Sequence, residues 1–227
     1  MSSVTDMSKL FLDPDDNAVP EADTFNGDLS KWDMSKVTDM NHMFYYVSSF
    51  NGTISKWNVS RVNNMAAMFA VASSFTGDLS KWDVSRVINM EETFYYAKSF
   101  NGDISTWDVS RVTNMFGMFV SALSFNSDIS TWDVSRVTDM DNMFAYASSF
   151  NGDIPKWVVS RVTNMQDMFS RALSFAQTLS GEWYTSTADK SGMFDGSSGR
   201  IGKTTTSTNY ANPDSDPQTL TLSLECG

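Results

Sequence analysis

The amino-acid sequence predicts an α/β repeat solenoid: a right-handed superhelix with short parallel strands on one face and short helices on the other. Phe25, Phe50, Phe75, Phe100, Phe125, Phe150 and Phe175 recur every 25 residues, and Trp32, Trp57, Trp82, Trp107, Trp132 and Trp157 keep the same interval. A fixed period of roughly 20 to 50 residues is the signature of stacked units. Within a unit the apolar residues are first two apart, as at Trp82 and Val84, and then three or four apart, as at Met90, Phe94 and Ala97. The first spacing turns alternate side chains of a strand inward, and the second marks one face of a helix.

The chain divides accordingly. Residues 1–24 form a partial N-terminal repeat or cap, because "SVTDMSKLF" from Ser3 matches "SKVTDMNHMF" from Ser35; an acidic, proline-containing insertion, "LDPDDNAVPEAD", follows it. The chain thus starts in mid-repeat, as a trimmed cap or as part of a longer array. Residues 25–175 hold six repeats. Residues 176–194 read as a degenerate seventh, with Leu179 on the column of Ile154, Trp183 one residue late and Met193-Phe194 back in register. Residues 195–227 turn to Gly, Ser and Thr and end in "TLTLSL", a C-terminal cap or linker.

Each element has a local reason. Asn-Gly at 26–27, 51–52, 101–102 and 151–152 supplies a turn before the strand. Thr38, Thr113, Thr138 and Thr163, or the adjoining Asp39, Asn64, Asn89, Asn114, Asp139 and Asn164, are placed to cap the helix. The helical stripe is Met40, Met43, Phe44 and Val47 and its equivalents, and 12 of the 15 methionines lie in its two columns. Neither element covers its apolar side alone. Stacking units at about 4.8 Å does so, with right-handed crossovers, and the flexible thioethers fill gaps between aromatics.

Composition bounds the function. A net charge of −11 opposes nucleic acid and anionic membrane surfaces. Most of that charge sits at the ends, since Phe25 to Phe175 holds 15 acidic and 12 basic residues. Cys226 is the only cysteine, so no disulfide forms within the chain. No secretory leader and no apolar run of the roughly 18 residues that span a bilayer are legible.

The unit "W-D-V-S-x-V-T-N-M-x-x-M-F-x-x-A-x-S-F-N-x-D-I-S" resembles the BspA-type leucine-rich-repeat surface proteins, at full strength over 25–175 and more weakly over most of 3–194. That resemblance implies a leucine-rich-repeat-like fold and a secreted or cell-surface protein that serves adhesion or partner binding. Arg or Lys replaces the family's small polar residue before the valine, and no anchor is present, so a cytoplasmic protein is the alternative.

Candidate functional residues fall in columns. Asp33, Asp83, Asp108 and Asp133 form one, broken by Asn58 and Val158. A row of carboxylates suits a cation such as calcium, but the adjacent column of Lys36, Arg61, Arg86, Arg111, Arg136 and Arg161 is placed to neutralise it, and charge pairing is the expectation; no metal is assigned. Outward positions of the helical segment vary freely and hold Tyr45, Tyr46, Tyr95, Tyr96, Phe116 and Tyr146. Exposed aromatics of this kind anchor interfaces, although drift at solvated positions gives the same pattern. Asn51 and Asn58 begin glycosylation sequons. Catalysis is not expected: His42 is the only histidine, and no phosphate loop or nucleophile elbow is present. No cofactor is implied. The reading is a non-catalytic module that presents a repeat surface to a protein or glycan partner. A scaffold that self-associates through its ends is the alternative, and a cation- or ice-binding array a minor one.

Overall fold

The structure is a computed structural model that describes residues 4–203. Cys226 and the "TLTLSL" segment lie outside the described residues. Successive 25-residue units pair in parallel at a single column, through bridges that join Asp6 to Asp39, Asp39 to Asn64, Asn64 to Asn89, and so on to Asn164 and Asp189. Around each bridge the Asn63 N–H donates back to the Thr38 carbonyl at 2.9 Å, and the Met40 N–H donates forward to the Asn64 carbonyl at 3.0 Å.

The segment expected to be helical is a run of tight turns. Alternate N–H groups in it, those of Met40, His42, Phe44 and Tyr46, donate to Asn64, Ala66, Met68 and Ala70 of the next unit. The intervening Met43, Tyr45 and Val47 N–H groups close turns onto Met40, His42 and Phe44. An α-helix would send every one of these donors along its own axis. Here half of them hold the neighbouring unit instead. The third residue of a turn takes a positive φ, 55° at His42 and 61° at Tyr46, and the same two columns repeat it at Ala67 and Val71, Glu92 and Tyr96, Gly117 and Ser121, Asn142 and Tyr146, Asp167 and Arg171. Turns of this geometry bring Met40, Met43, Phe44 and Val47 to the inside, which is the spacing a helix would also give.

The expected strand at Trp82 and Val84 is likewise replaced by turns, closed by the Trp82 N–H on Leu79 and the Val87 N–H on Val84. Asn-Gly makes no left-handed turn, since Gly27, Gly52, Gly102 and Gly152 are absent from the positive-φ positions. These glycines give room instead: a Cβ on Gly102 would lie 2.9 Å from the Phe100 ring. The asparagines before them tie units together, as when Asn26 Oδ1 accepts from the Asn51 N–H at 2.9 Å and Asn101 Oδ1 from the Asn126 N–H at 2.8 Å.

Aromatic columns fill the interior. Phe44, Phe69, Phe94, Phe119, Phe144 and Phe169 follow one another at 5.5 to 5.6 Å between ring centroids, and each lies about 4 Å from the phenylalanine six residues on, as Phe94 does from Phe100 at 4.0 Å. Trp57, Trp82, Trp107, Trp132 and Trp157 are buried, and each indole N–H donates to a carbonyl 28 residues earlier, Trp107 to Leu79 at 3.1 Å. Where the period breaks, ordinary elements appear among the described residues: β1 (Thr178–Leu179) pairs in parallel with β2 (Arg200–Ile201), and a single-turn helix α1 (Glu182–Thr185) carries Trp183. Residues 195–203 therefore complete the last unit through β2.

Candidate functional site

The turn segment decides where the variable aromatics stand. Tyr46, Tyr96 and Tyr146 occupy one column at the left-handed position of the second turn, with φ of 61°, 54° and 59°. That geometry throws the side chain outward, and the rings remain 46%, 38% and 48% exposed. Val71, Ser121 and Arg171 hold the column in the units between, so tyrosine recurs on alternate units, about 9.6 Å apart at a spacing of about 4.8 Å per unit. Tyr45 and Tyr95, one residue earlier, are half-buried and support their neighbours, with centroids 4.5 Å apart for Tyr45 and Tyr46 and 4.7 Å for Tyr95 and Tyr96. Burial, then the adjacent Tyr46 or Tyr96, pushes both phenols up from their ordinary value. The Arg171 guanidinium lies 5.6 Å from the centre of the Tyr146 ring. Phe116 stands elsewhere: it is half-buried in the column of Glu91 and Asp141, and its N–H is held by Asn114 Oδ1 at 2.9 Å. The structure thus gathers the tyrosines and leaves Phe116 apart.

Beside the tyrosines runs a feature the sequence reading missed. Leu123 and Leu173 are exposed, and with Ser121, Tyr146, Ser148 and Arg171 they line an open groove of about 300 Å³. The signal was available, because the equivalent residues in three other units are Ser48, Ser73 and Ser148.

The aspartate column is exposed, and each carboxylate turns back on its own chain. Asp33, Asp83, Asp108 and Asp133 accept the N–H of Ser35, Ser85, Ser110 and Ser135 at 3.0 to 3.1 Å. The serine hydroxyl, then the serine N–H, holds the Asp33, Asp83 and Asp133 carboxyls below their ordinary value. The expected pairing with the basic column does not form: among the described residues the one ion pair joins Lys9 and Asp16. A short side chain that has already folded onto the serine two residues ahead does not also reach the next column. Among the described residues no three His, Cys, Asp or Glu side chains converge as a metal site. No described helix is long and apolar enough to cross a membrane.

Both sequon asparagines are exposed and already engaged: Asn51 Oδ1 accepts from the Thr76 N–H at 2.9 Å, and Asn58 Oδ1 accepts the Ser60 hydroxyl at 2.7 Å. Asn58 therefore reproduces the aspartate turn without the charge.

No curated protein and no solved structure matches the chain. A family model matches it twice, over residues 5–121 and 100–206, and so takes in most of its length. The chain is a repeat protein that belongs to DUF285, the family described as "Mycoplasma protein of unknown function".

Proposed function

We propose that the stacked units form a right-handed solenoid that acts as a non-catalytic binding module, with the tyrosine column as the surface offered to a protein or glycan partner. The observation that carries this reading is the contrast between columns. Positions that hold the fold repeat in nearly every unit, whereas the 46, 96 and 146 column departs from that rule to display large amphipathic rings at backbone positions that disfavour them. Tyrosine offers contact area at low entropic cost together with a polar tip, the combination that favours interfaces. The resemblance of the repeat to BspA-type surface proteins supports a secreted or cell-surface setting.

The test is the triple substitution Tyr46→Ser, Tyr96→Ser and Tyr146→Ser, read by melting temperature and by retention on an array of glycans and matrix proteins. Melting within a few degrees of the parent together with loss of the parent's array signal is the expected result. Collapse of the fold, or an unchanged array profile, would remove the reading.

End-to-end self-association is the second reading, and Trp32 favours it. Its indole stacks on Trp57 at 6.5 Å and is 37% exposed, while the tryptophans that follow are buried. Sedimentation over a wide concentration range separates the two, since end stacking predicts assemblies that lengthen with concentration.

A further inference from the structure

One column carries a cation in each of the six regular units: Lys36, Arg61, Arg86, Arg111, Arg136 and Arg161, all exposed. The fold makes little use of them. Among the described residues none is in an ion pair, and none donates a side-chain hydrogen bond. The aspartates on one side are engaged by their serines, with Arg86 and Arg136 acting on Asp83 and Asp133 only after those hydrogen bonds and desolvation. Asn58 and Val158 remove even that neighbour from Arg61 and Arg161. On the other side Thr38, Asn63, Ile88, Thr113, Thr138 and Thr163 carry no charge. Arg61, Arg86 and Arg111 form one wall of a groove of about 490 Å³, with Thr38, Asn63 and Ile88 along the other.

Parallel pairing sets successive cations about 4.8 Å apart, a spacing at which like charges repel. Five of the six are arginine, whose planar fork grips a carboxylate or sulfate through two parallel hydrogen bonds. We propose that this row binds an extended anionic polysaccharide carrying a carboxylate or sulfate on each sugar, laid along the groove so that successive acid groups meet successive arginines. One sugar of an extended chain advances by close to one unit of the protein, and the threonine and asparagine wall offers partners to its hydroxyls. Nucleic acid fits less well. Duplex DNA carries a charge about every 1.7 Å of axis, so the chain's net charge of −11 repels it more strongly than a sparsely charged glycan. The site is separate from the tyrosine column, and either can fail without the other.

The experiment uses the full chain at low ionic strength, titrated with fluorescently labelled oligogalacturonate and chondroitin sulfate oligosaccharides, with dextran and duplex DNA as comparisons. At least one anionic oligosaccharide binds, dextran does not, and DNA binds more weakly. In the triple variant Arg61→Gln, Arg86→Gln and Arg111→Gln the affinity falls tenfold or more at unchanged melting temperature, and the salt dependence flattens by roughly 0.7 of a unit of slope or less for each arginine removed. Arg86→Gln alone gives a smaller loss of the same kind and serves if the triple variant is unstable. The control Lys31→Gln, Lys56→Gln and Lys81→Gln, in the adjacent exposed lysine column, keeps its affinity within about twofold. Absence of binding to both oligosaccharides, an equal loss in the lysine control, or DNA binding as tight as the glycan would overturn the proposal.

Discussion

Trp107 and Trp183 are the same residue in two kinds of unit. Trp107 lies in the regular array, buried, with its indole N–H on the Leu79 carbonyl at 3.1 Å. Trp183 is as fully buried and stacks on Trp157 at 6.5 Å, but its Nε1 has no partner. One extra residue before it moved the indole off the carbonyl that the period would have supplied. The same unit contains the short helix α1 and the paired strands β1 and β2. The regular units contain neither, so the comparison teaches that the period itself holds them. Exact repetition brings N–H, carbonyl and ring opposite their counterparts, and conventional elements take over where repetition lapses.

The largest expected effect breaks a ring column at its middle and at its end. Phe94 has ring neighbours on both sides, Phe69 at 5.6 Å and Phe119 at 5.5 Å, and Phe100 at 4.0 Å. Phe94→Ala should cost about 3–5 kcal/mol in urea unfolding through lost burial and a cavity that its neighbours cannot fill. Phe194 meets Phe169 at 5.7 Å and Phe175 at 6.3 Å and is only half-buried. Phe194→Ala should cost less than half as much. Equal costs would show that the last unit is packed as tightly as the rest.

The tryptophans give a finer contrast. Trp107→Phe removes burial and one of the two donors to the Leu79 carbonyl, which keeps the Trp82 N–H at 3.1 Å, whereas Trp183→Phe deletes an N–H that was already unpaired. The first should exceed the second by about 1 kcal/mol, the net worth of a neutral hydrogen bond. Both are read from denaturation midpoints.

How much of this was legible depends on what each signal measures. Burial spacing reports which side chains face inward, and it placed Met40, Met43, Phe44 and Val47 correctly; it is silent about where the backbone donors go. A run of two helical turns in isolation is marginal, and in this chain the alternate N–H groups gain more by joining the next unit. Asp33 and its equivalents were readable as a column, but a pairing with Arg could not be told from a turn onto Ser35 by spacing alone. The tyrosine column was visible as variable positions. Its separation from Phe116 needed the alternation of outward and inward turns.

Acid separates the unit that lacks carboxylates from those that have them. In Asp83 and Asp133 the folded value is lowered, so their contribution is present above the unfolded value and is lost as pH falls from about 4 through the folded values. Asp83→Asn copies the turn at Asn58 and removes the titration; stability at pH 7 should change by less than about 1 kcal/mol and the acid limb should flatten. Glu92 has the opposite sign, since burial and then Glu91 raise its folded value. Its charge costs stability as pH climbs above the unfolded value, so Glu92→Gln should raise the melting temperature at pH 7 and leave it unchanged near pH 3.

The smallest expected effect concerns the left-handed column itself. In the last unit that position is Gly196, with φ of 73°, whereas in the second regular unit it is Val71, with φ of 63°. A β-branched residue held there is strained by roughly 1–2 kcal/mol, and asparagine tolerates the conformation far better. Val71→Asn gives up the packing of a half-buried side chain but relieves that strain, for a net gain of up to about 1 kcal/mol. Gly196→Val does the reverse: it imports the strain and sets a Cβ 3.3 Å from the Arg171 Cγ. If melting curves show Val71→Asn to be destabilising by more than its lost burial accounts for, then neighbouring units hold this backbone so firmly that its conformation carries no strain, and the difference between the regular and final units lies in the ring columns and indole hydrogen bonds alone.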